Sequence, residues 1–329
     1  TGGGSIDAGQ EISSYFKPLN DYVGTGKEAA AIDEFIAAVK TAGQTVIAAR
    51  SAGGGAAGDA VQAQMATATA AVQAAGAGAP PMLQSFVQDT ARGGSSAQSS
   101  AVQGAVSQGY ASVVLPACKS ATQDRYPFFA TATDDASVAE VIRFFGNGGM
   151  MDGFVRDRLM PLLDTGGPVW RWRMDDMVAA ALDPSSADQI SKTPVIRDLL
   201  TAGLPFKVSL ETLGPGIDAA EFSVGGTSYR FDKATSTPRL MLWSPQAGAP
   251  DAHVSLFKGA QQLDQIAGQG AWSIFRLMDK ARKQNSGEAA FLAVFGSGPQ
   301  SVTFRITLSS DKNPFSRGGV WAFRCPTVL

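Results

Sequence analysis

The strongest constraint on this chain is a change of hydrophobic period near Leu204. Before it, apolar residues recur at helical spacing, as in "IDEFIAAVKTAGQTVIAA", where Ile32, Phe35, Ile36, Val39, Val46 and Ile47 fall near one stripe. After it they alternate, in "FKVSLETL", "AEFSVGGTSYRF", "RLMLW", "HVSLF", "AFLAVFG" and "SVTFRITLSS". Helices followed by strands argue against repeated βαβ units. The expected fold class is α+β and multidomain: an N-terminal all-helical region, then a C-terminal antiparallel β-sandwich-like domain with one packed helix. A chain of 329 residues is long enough for two or three domains. The division expected is an Ala-rich helical region over 1–130, a helical subdomain or connector over 131–204, and a β-domain over 205–329 with its helix near 271–284.

Local signals refine this. "AGQEISSYFKPLNDYV" predicts a helix interrupted around Pro18, and "GDAVQAQMATATAAVQAAGAGAPP" a helix with a thin apolar face. "ARGGSSAQSS" predicts a loop. "TDDASVAEVIRFFG" predicts a helix capped by Asp134 or Asp135 and ended by Gly146. "GMMDGFVRDRLMPLLD" repeats that design, and "SADQISKTPVIRDLLTAG" adds a short helix closed by Gly203. "GGT" at 225–227 is a hairpin signal. In "WSIFRLMDKARK", Ile274, Leu277 and Met278 point inward.

Charge excludes one class of partner. The net charge is −2 and charged residues make up 17%, so no basic excess exists to neutralise nucleic-acid phosphates. The alternation of Trp170 and Trp172 with Arg171 and Arg173 is better read as a cation–π staple between domains than as a stacking platform. No apolar run approaches the ~20 residues of a membrane helix. "TGGGSIDAGQ" lacks the basic start and apolar core of a signal peptide, so any targeting signal is expected upstream.

The chain offers little for catalysis or metal binding. "GTGKEA" at 24–29 lacks the spacing, the hydroxyl residue and the preceding strand of a phosphate loop. "GNGGMMDG" at 146–153 reads as a helix end and a sharp turn. Asp134–Asp135 and Asp175–Asp176 read as caps at helix starts, and the single histidine, His253, as a solvated or packed side chain. Two cysteines, Cys118 and Cys325, are too few for a zinc site. They leave three readings: buried thiols, a reactive thiol, or one disulfide. The residues by themselves point to a scaffold or binding protein, with no catalytic, cofactor or metal site.

Several stretches, in order, resemble one family: "LPACKSATQDRYPFF", "DDASVAEVIRFFGNGGMMDGFVRDRLMPLLDT", "WRWR", "GAWSIFRLMD", "NPF" and the terminal "FRCP". The series, over roughly residues 100 to 329, looks like the C-terminal part of the TssM/IcmF family, inner-membrane core components of the bacterial type VI secretion system. Trp243-Ser244-Pro245 and Gly270-Ala271-Trp272 depart from the family's usual turns. The resemblance implies a non-enzymatic periplasmic region that binds the outer-membrane lipoprotein TssJ and links inner to outer membrane. Absent parent regions would associate with TssL, and the assembled complex would be a homo-oligomer. In an oxidising periplasm, a Cys118–Cys325 disulfide would tie the tail to the helical domain.

A partner would meet loops of the β-domain: Leu213–Ile217, Trp243–Pro250 and Phe257–Leu263. The candidate contacts are Leu213, Ile217, Trp243, Pro245 and Phe257, although Trp243 and Phe257 fit a core equally well. The alternative function is a peptidoglycan-acting envelope hydrolase, for which the required acid–base residue types are almost missing.

Overall fold

The computed structural model describes residues 8–24, 31–51, 56–167, 169–235, 237–245, 251–285, 289–309, 313–316 and 319–329. It is α+β, with helices preceding antiparallel sheets. The chain forms two compact units. Helices after residue 112 cluster with the strands.

The first unit comprises Thr1–Ser112, Trp172–Asp183 and Val328–Leu329. Its helices are α1 (Ala8–Val23), α2 (Ala31–Ser51), α3 (Ala56–Gly76) and α4 (Pro81–Gly109). The thin face of α3 is Met65, Ala68 and Val72, which spacing of three and four residues places on one side. They are buried, as are Phe35 of α2 and Tyr22 of α1. Gly76 lets α3 approach α4, since a Cβ there would stand 2.2 Å from Val87 Cγ1.

Two expected breaks do not occur. Helix α1 runs through Pro18, whose missing N–H would have served the carbonyl of Ser14. Ser14 is exposed, so that carbonyl is open to solvent. "ARGGSSAQSS" lies inside α4 and is not a loop. Glycine weakens a helix without forbidding it, and the Ala- and Gln-rich flanks propagate through.

The second unit comprises Val113–Arg171 and Pro184–Thr327. Its helices begin with α5 (Leu115–Thr122), α6 (Val138–Phe145) and α7 (Met150–Phe154), the last running into a π-helical turn at Val155–Leu159. The cap of α6 is Ser137, whose hydroxyl accepts from Glu140 N–H at 3.5 Å. Asp135 is not the cap because it is engaged by Arg276. The last predicted helix is two, α8 (Pro184–Ser191) and α9 (Thr193–Ala202), since Pro194 starts a new helix better than it continues one. Gly203, at φ +74°, closes α9.

The short strands β1 (Leu163–Asp164) and β2 (Arg171–Trp172) precede the sandwich in sequence. The sandwich is built from β3 (Leu204–Leu213), β4 (Ala219–Val224), β5 (Thr227–Asp232), β6 (Arg239–Trp243), β7 (Ala252–Lys258), β8 (Gln261–Gly268), β9 (Arg282–Asn285), β10 (Ala290–Ser297) and β11 (Gln300–Leu308). One sheet has the order β6-β3-β11-β10-β9, the other β5-β4-β7-β8, and neighbours are antiparallel. Alternate residues turn inward, so Phe222 of one sheet meets Phe304, Phe295 and Phe206 of the other at 5.3, 6.1 and 6.3 Å between ring centroids. Helix α10 (Ser273–Lys280) lies against β7 and β8 and buries Ile274, Leu277 and Met278. It stops before "ARK", where Arg282 of β9 pairs with Val294 of β10.

A second aromatic cluster anchors the C-terminal tail within this unit. Trp321 stands 5.1 Å from Phe275, 5.4 Å from Trp272 and 5.4 Å from Phe128, while Phe323 stands 5.1 Å from Phe145. Cys325 is joined to Cys118 of α5 across 207 residues, with the Cα atoms 6.0 Å apart. The tail there is irregular after a short 3-10 turn, not strand-like, because its side chains fill gaps between helices and need no ladder. Aromatic burial and the covalent link are of comparable weight. Two rings of ~200 Å² each contribute at most on the order of 10 kcal/mol, against about 5 from chain entropy.

Candidate partner-binding surface

The sequence candidates separate to opposite ends of the sandwich. Register pairs Leu213 with Val302 and Ala219 with Phe257, placing Leu213, Ile217 and Phe257 at one end. It pairs Trp243 with Leu204 at the other. Trp243 and Ile217 are buried, at 0% and 2% exposure, and Pro245 is buried as well. Their side chains fill the interior, where the sequence alone places them at a contact surface. Trp243 faces inward because it alternates with Leu242 along β6; its indole N–H donates to Ala271 O at 3.2 Å, and its ring meets Phe275 at 4.9 Å. Ile217 is turned in by a tight turn, its N–H donating to Gly214 O at 2.9 Å. Residues 246–250 of the Trp243–Pro250 loop, and most of "GTGKEA" at 24–29, lie outside the described residues.

Leu213 and Phe257 remain half-buried at an end built from backbone clamps. Gly214 N–H donates to Ser301 O at 2.7 Å, and Gly216 N–H to Pro299 O at 3.3 Å. Only glycine fits at 214, since a Cβ would sit 2.3 Å from Pro299 O. Asp218 N–H donates to Phe257 O at 2.9 Å, and Asp218 Oδ2 accepts from Gly259 N–H at 2.9 Å. The Arg230 guanidinium lies 4.3 Å from the Phe257 ring centre and donates to Gly259 O at 3.0 Å. These ties join the β3–β4, β7–β8 and β10–β11 loops, so their ordering cost is met before a partner arrives.

Sequence reasoning missed Leu240 and Leu242, which are 60% and 52% exposed on edge strand β6. "RLMLW" is apolar on both faces, so alternation of polarity could not say which face was outward.

A group of titratable side chains surrounds Tyr126. Its hydroxyl donates to Asp279 Oδ2 at 2.9 Å, Lys283 Nζ lies 3.7 Å from Asp279, and Arg276 covers the Tyr126 ring at 4.1 Å while pairing with Asp135. Burial, then the Asp279 charge, pushes the Tyr126 phenol far above its usual range, so it stays protonated. The adjoining cavity is only about 100 Å³, well below the 300–1,000 Å³ typical of small-molecule sites. The group acts as a clamp between α10 and the Tyr126–Asp135 segment. His253 is half-buried on β7, 3.8 Å from Glu221. Trp172 is buried and donates its indole N–H to Asp183 O at 2.8 Å, a clamp within the first unit. Among the described residues no helix is long and apolar enough to cross a membrane, and no group of three or more His, Cys, Asp or Glu could hold a metal ion.

The type VI secretion protein IcmF helical domain matches residues 101–202, and the IcmF C2-like domain matches residues 206–310. The type VI secretion system component TssM1 of Pseudomonas aeruginosa is 27% identical over 334 aligned positions, covering 97% of this chain and 30% of that protein. This chain thus spans less than a third of that relative. A solved type VI secretion system membrane core complex shares the fold at a TM-score of 0.67 and 14% identity, over 96% of this chain and 70% of that one. A type VI membrane complex does so at 0.70 and 16%, over 95% and 66%. The T6SS protein TssM C-terminal domain from EAEC does so at 0.53 and 16%, over 69% and 96%.

Proposed function

The chain belongs to the IcmF family of type VI secretion proteins, and from that premise we propose that it is a periplasmic scaffold module of a type VI secretion membrane complex. It binds the outer-membrane lipoprotein TssJ and helps link inner to outer membrane. TssL contacts and assembly into a homo-oligomer involve the rest of the parent protein. The module works by binding and changes no covalent bond in its partner.

The observation that carries the partner reading is the loop end of the sandwich, where Leu213 and Phe257 stand half-exposed on a backbone fixed by cross-loop hydrogen bonds. A partly buried aromatic on a pre-organised frame has the character of an interface anchor.

The test is capture of this chain by immobilised, lipid-free TssJ. Leu213→Ala with Phe257→Ala should weaken binding tenfold or more while thermal stability shows the fold retained. Leu240→Ser with Leu242→Ser should leave it unchanged. Loss in the second variant alone moves the contact to the β6 edge. Failure of the unaltered chain to bind overturns the TssJ reading.

A further inference from the structure

A close contact explains Gly76, which meets Val87. No contact explains Gly93 and Gly94, as none explains Gly43 of α2 or Gly104 of α4: a Cβ on any of these meets nothing within 4 Å, and none adopts a positive φ. Gly93 and Gly94 differ from the other two in being adjacent. Both stand near the middle of α4, which is 29 residues long. Packing holds that point only in part: Gly93 and Ser96 are exposed, and Gly94 and Ser95 are half-buried. Thr90 and Ser95 turn their hydroxyls back on the carbonyls of Phe86 and Ala91, at 2.8 and 3.1 Å. Such back-bonding competes with the helix's own ladder. Adjacent Gly and Ser are where helices bend sharply, and here Gly93-Gly94 is followed by Ser95-Ser96.

We propose that α4 carries a built-in hinge at Gly93–Ser96. The helix bends and its amides open there, so the segments before and after it move as separate rods. The glycines contribute no contact; what they supply is a weak point in an otherwise continuous helix. This device stands apart from the TssJ reading and fails or holds independently of it.

Hydrogen exchange on the whole chain tests the opening. Amides of Arg92–Ala97 should exchange at least tenfold faster than those of Met65–Val72 in α3. Each alanine replacement should slow them about five-fold, and G93A with G94A about twenty-fold. Gly43→Ala, at an equally open glycine of α2, should leave them unchanged. Spin labels at Gln84 and Ser100, about 24 Å apart along a straight helix, test the bending. Their distance distribution should be broad in the unaltered chain and narrow in the double alanine variant. Protection at Arg92–Ala97 equal to that of α3, or a single narrow distance without any substitution, overturns the hinge.

Discussion

The indole N–H of Trp272 donates to the carbonyl of Ala136, 2.8 Å away and 136 residues earlier in the chain. Both residues are buried. The bond is flanked by Arg276, which holds Asp135 and the carbonyl of Thr133. The start of helix α10 therefore fixes the segment leading into α6 at the Thr133 and Ala136 carbonyls and the Asp135 carboxylate. Trp272→Phe keeps a ring but strips the donor, leaving the Ala136 carbonyl bare. The expected loss is about 1–3 kcal/mol for the orphaned acceptor, with some further cost for the smaller ring. Urea unfolding measures it, and an unchanged midpoint would show that water replaces the indole.

The tail should depend on its rings at least as much as on its sulfurs. Phe323 is fully buried against Phe145 and Phe128. Phe323→Ala should cost about 3–5 kcal/mol. Replacing Cys118 and Cys325 together by serine should cost about 2–5 kcal/mol, and thiol counting on the unfolded, unreduced chain should find none. Two titratable thiols would remove the bridge and leave the rings, with the Arg324 contacts, to anchor the tail.

Much of the architecture was legible because burial on one face writes a period into the sequence. Val208, Phe222, Phe304 and Ile306 sit inward as alternation requires, and Ile274, Leu277 and Met278 as a helical stripe requires. The failures fall where that signal is weak or competes with another. Strand β8 is polar along most of its length because it lies at a sheet edge, so it gave no alternation. Trp243 fitted a surface anchor and a core equally well because its neighbours on β6 are apolar on both faces. Asp135 looked like a cap because a carboxylate at a helix start usually is one, but a tertiary partner, Arg276, claimed it. The glycine pair of α4 looked like a loop because composition records the weakening of a helix, not whether its flanks carry it through.

Acid should weaken the contact between α7 and α9. Burial alone raises the Asp152 pKa, but the Arg197 bond at 2.9 Å, the Gly148 N–H at 3.0 Å, and the charges of Arg197 and Arg156 outweigh it. The net effect holds Asp152 below its ordinary value of 3.8. A carboxylate depressed in the folded state stabilises above its unfolded pKa and loses that contribution as pH falls through the folded value. Asp152→Asn should therefore cost about 1 kcal/mol at pH 7, at the low end for a charged hydrogen bond because Arg197 is partly exposed. The difference between the two chains should narrow as pH falls below 3.8. Paired urea titrations at neutral and acid pH measure it, and a gap independent of pH would locate the effect in shape rather than charge.

The same chemical change should have opposite signs at two glycines. At Gly93 a methyl group meets open space, so Gly93→Ala removes a helix penalty of about 1 kcal/mol and stabilises. At Gly268, which ends β8, the methyl carbon would stand 2.0 Å from Ser273 O and 2.6 Å from Leu277 N. Both are backbone atoms of α10, so no rotamer relieves the clash. The helix must withdraw, and with it Ile274, Phe275, Leu277 and Met278, all buried. Overpacking usually costs 1–3 kcal/mol, and a collision with backbone puts Gly268→Ala at about 3 or more. Calorimetry should then find the melting temperature lowered by about 5–10 °C. A Gly268→Ala chain that melts with the unaltered protein would mean that α10 is not seated against β8 as closely as these distances require.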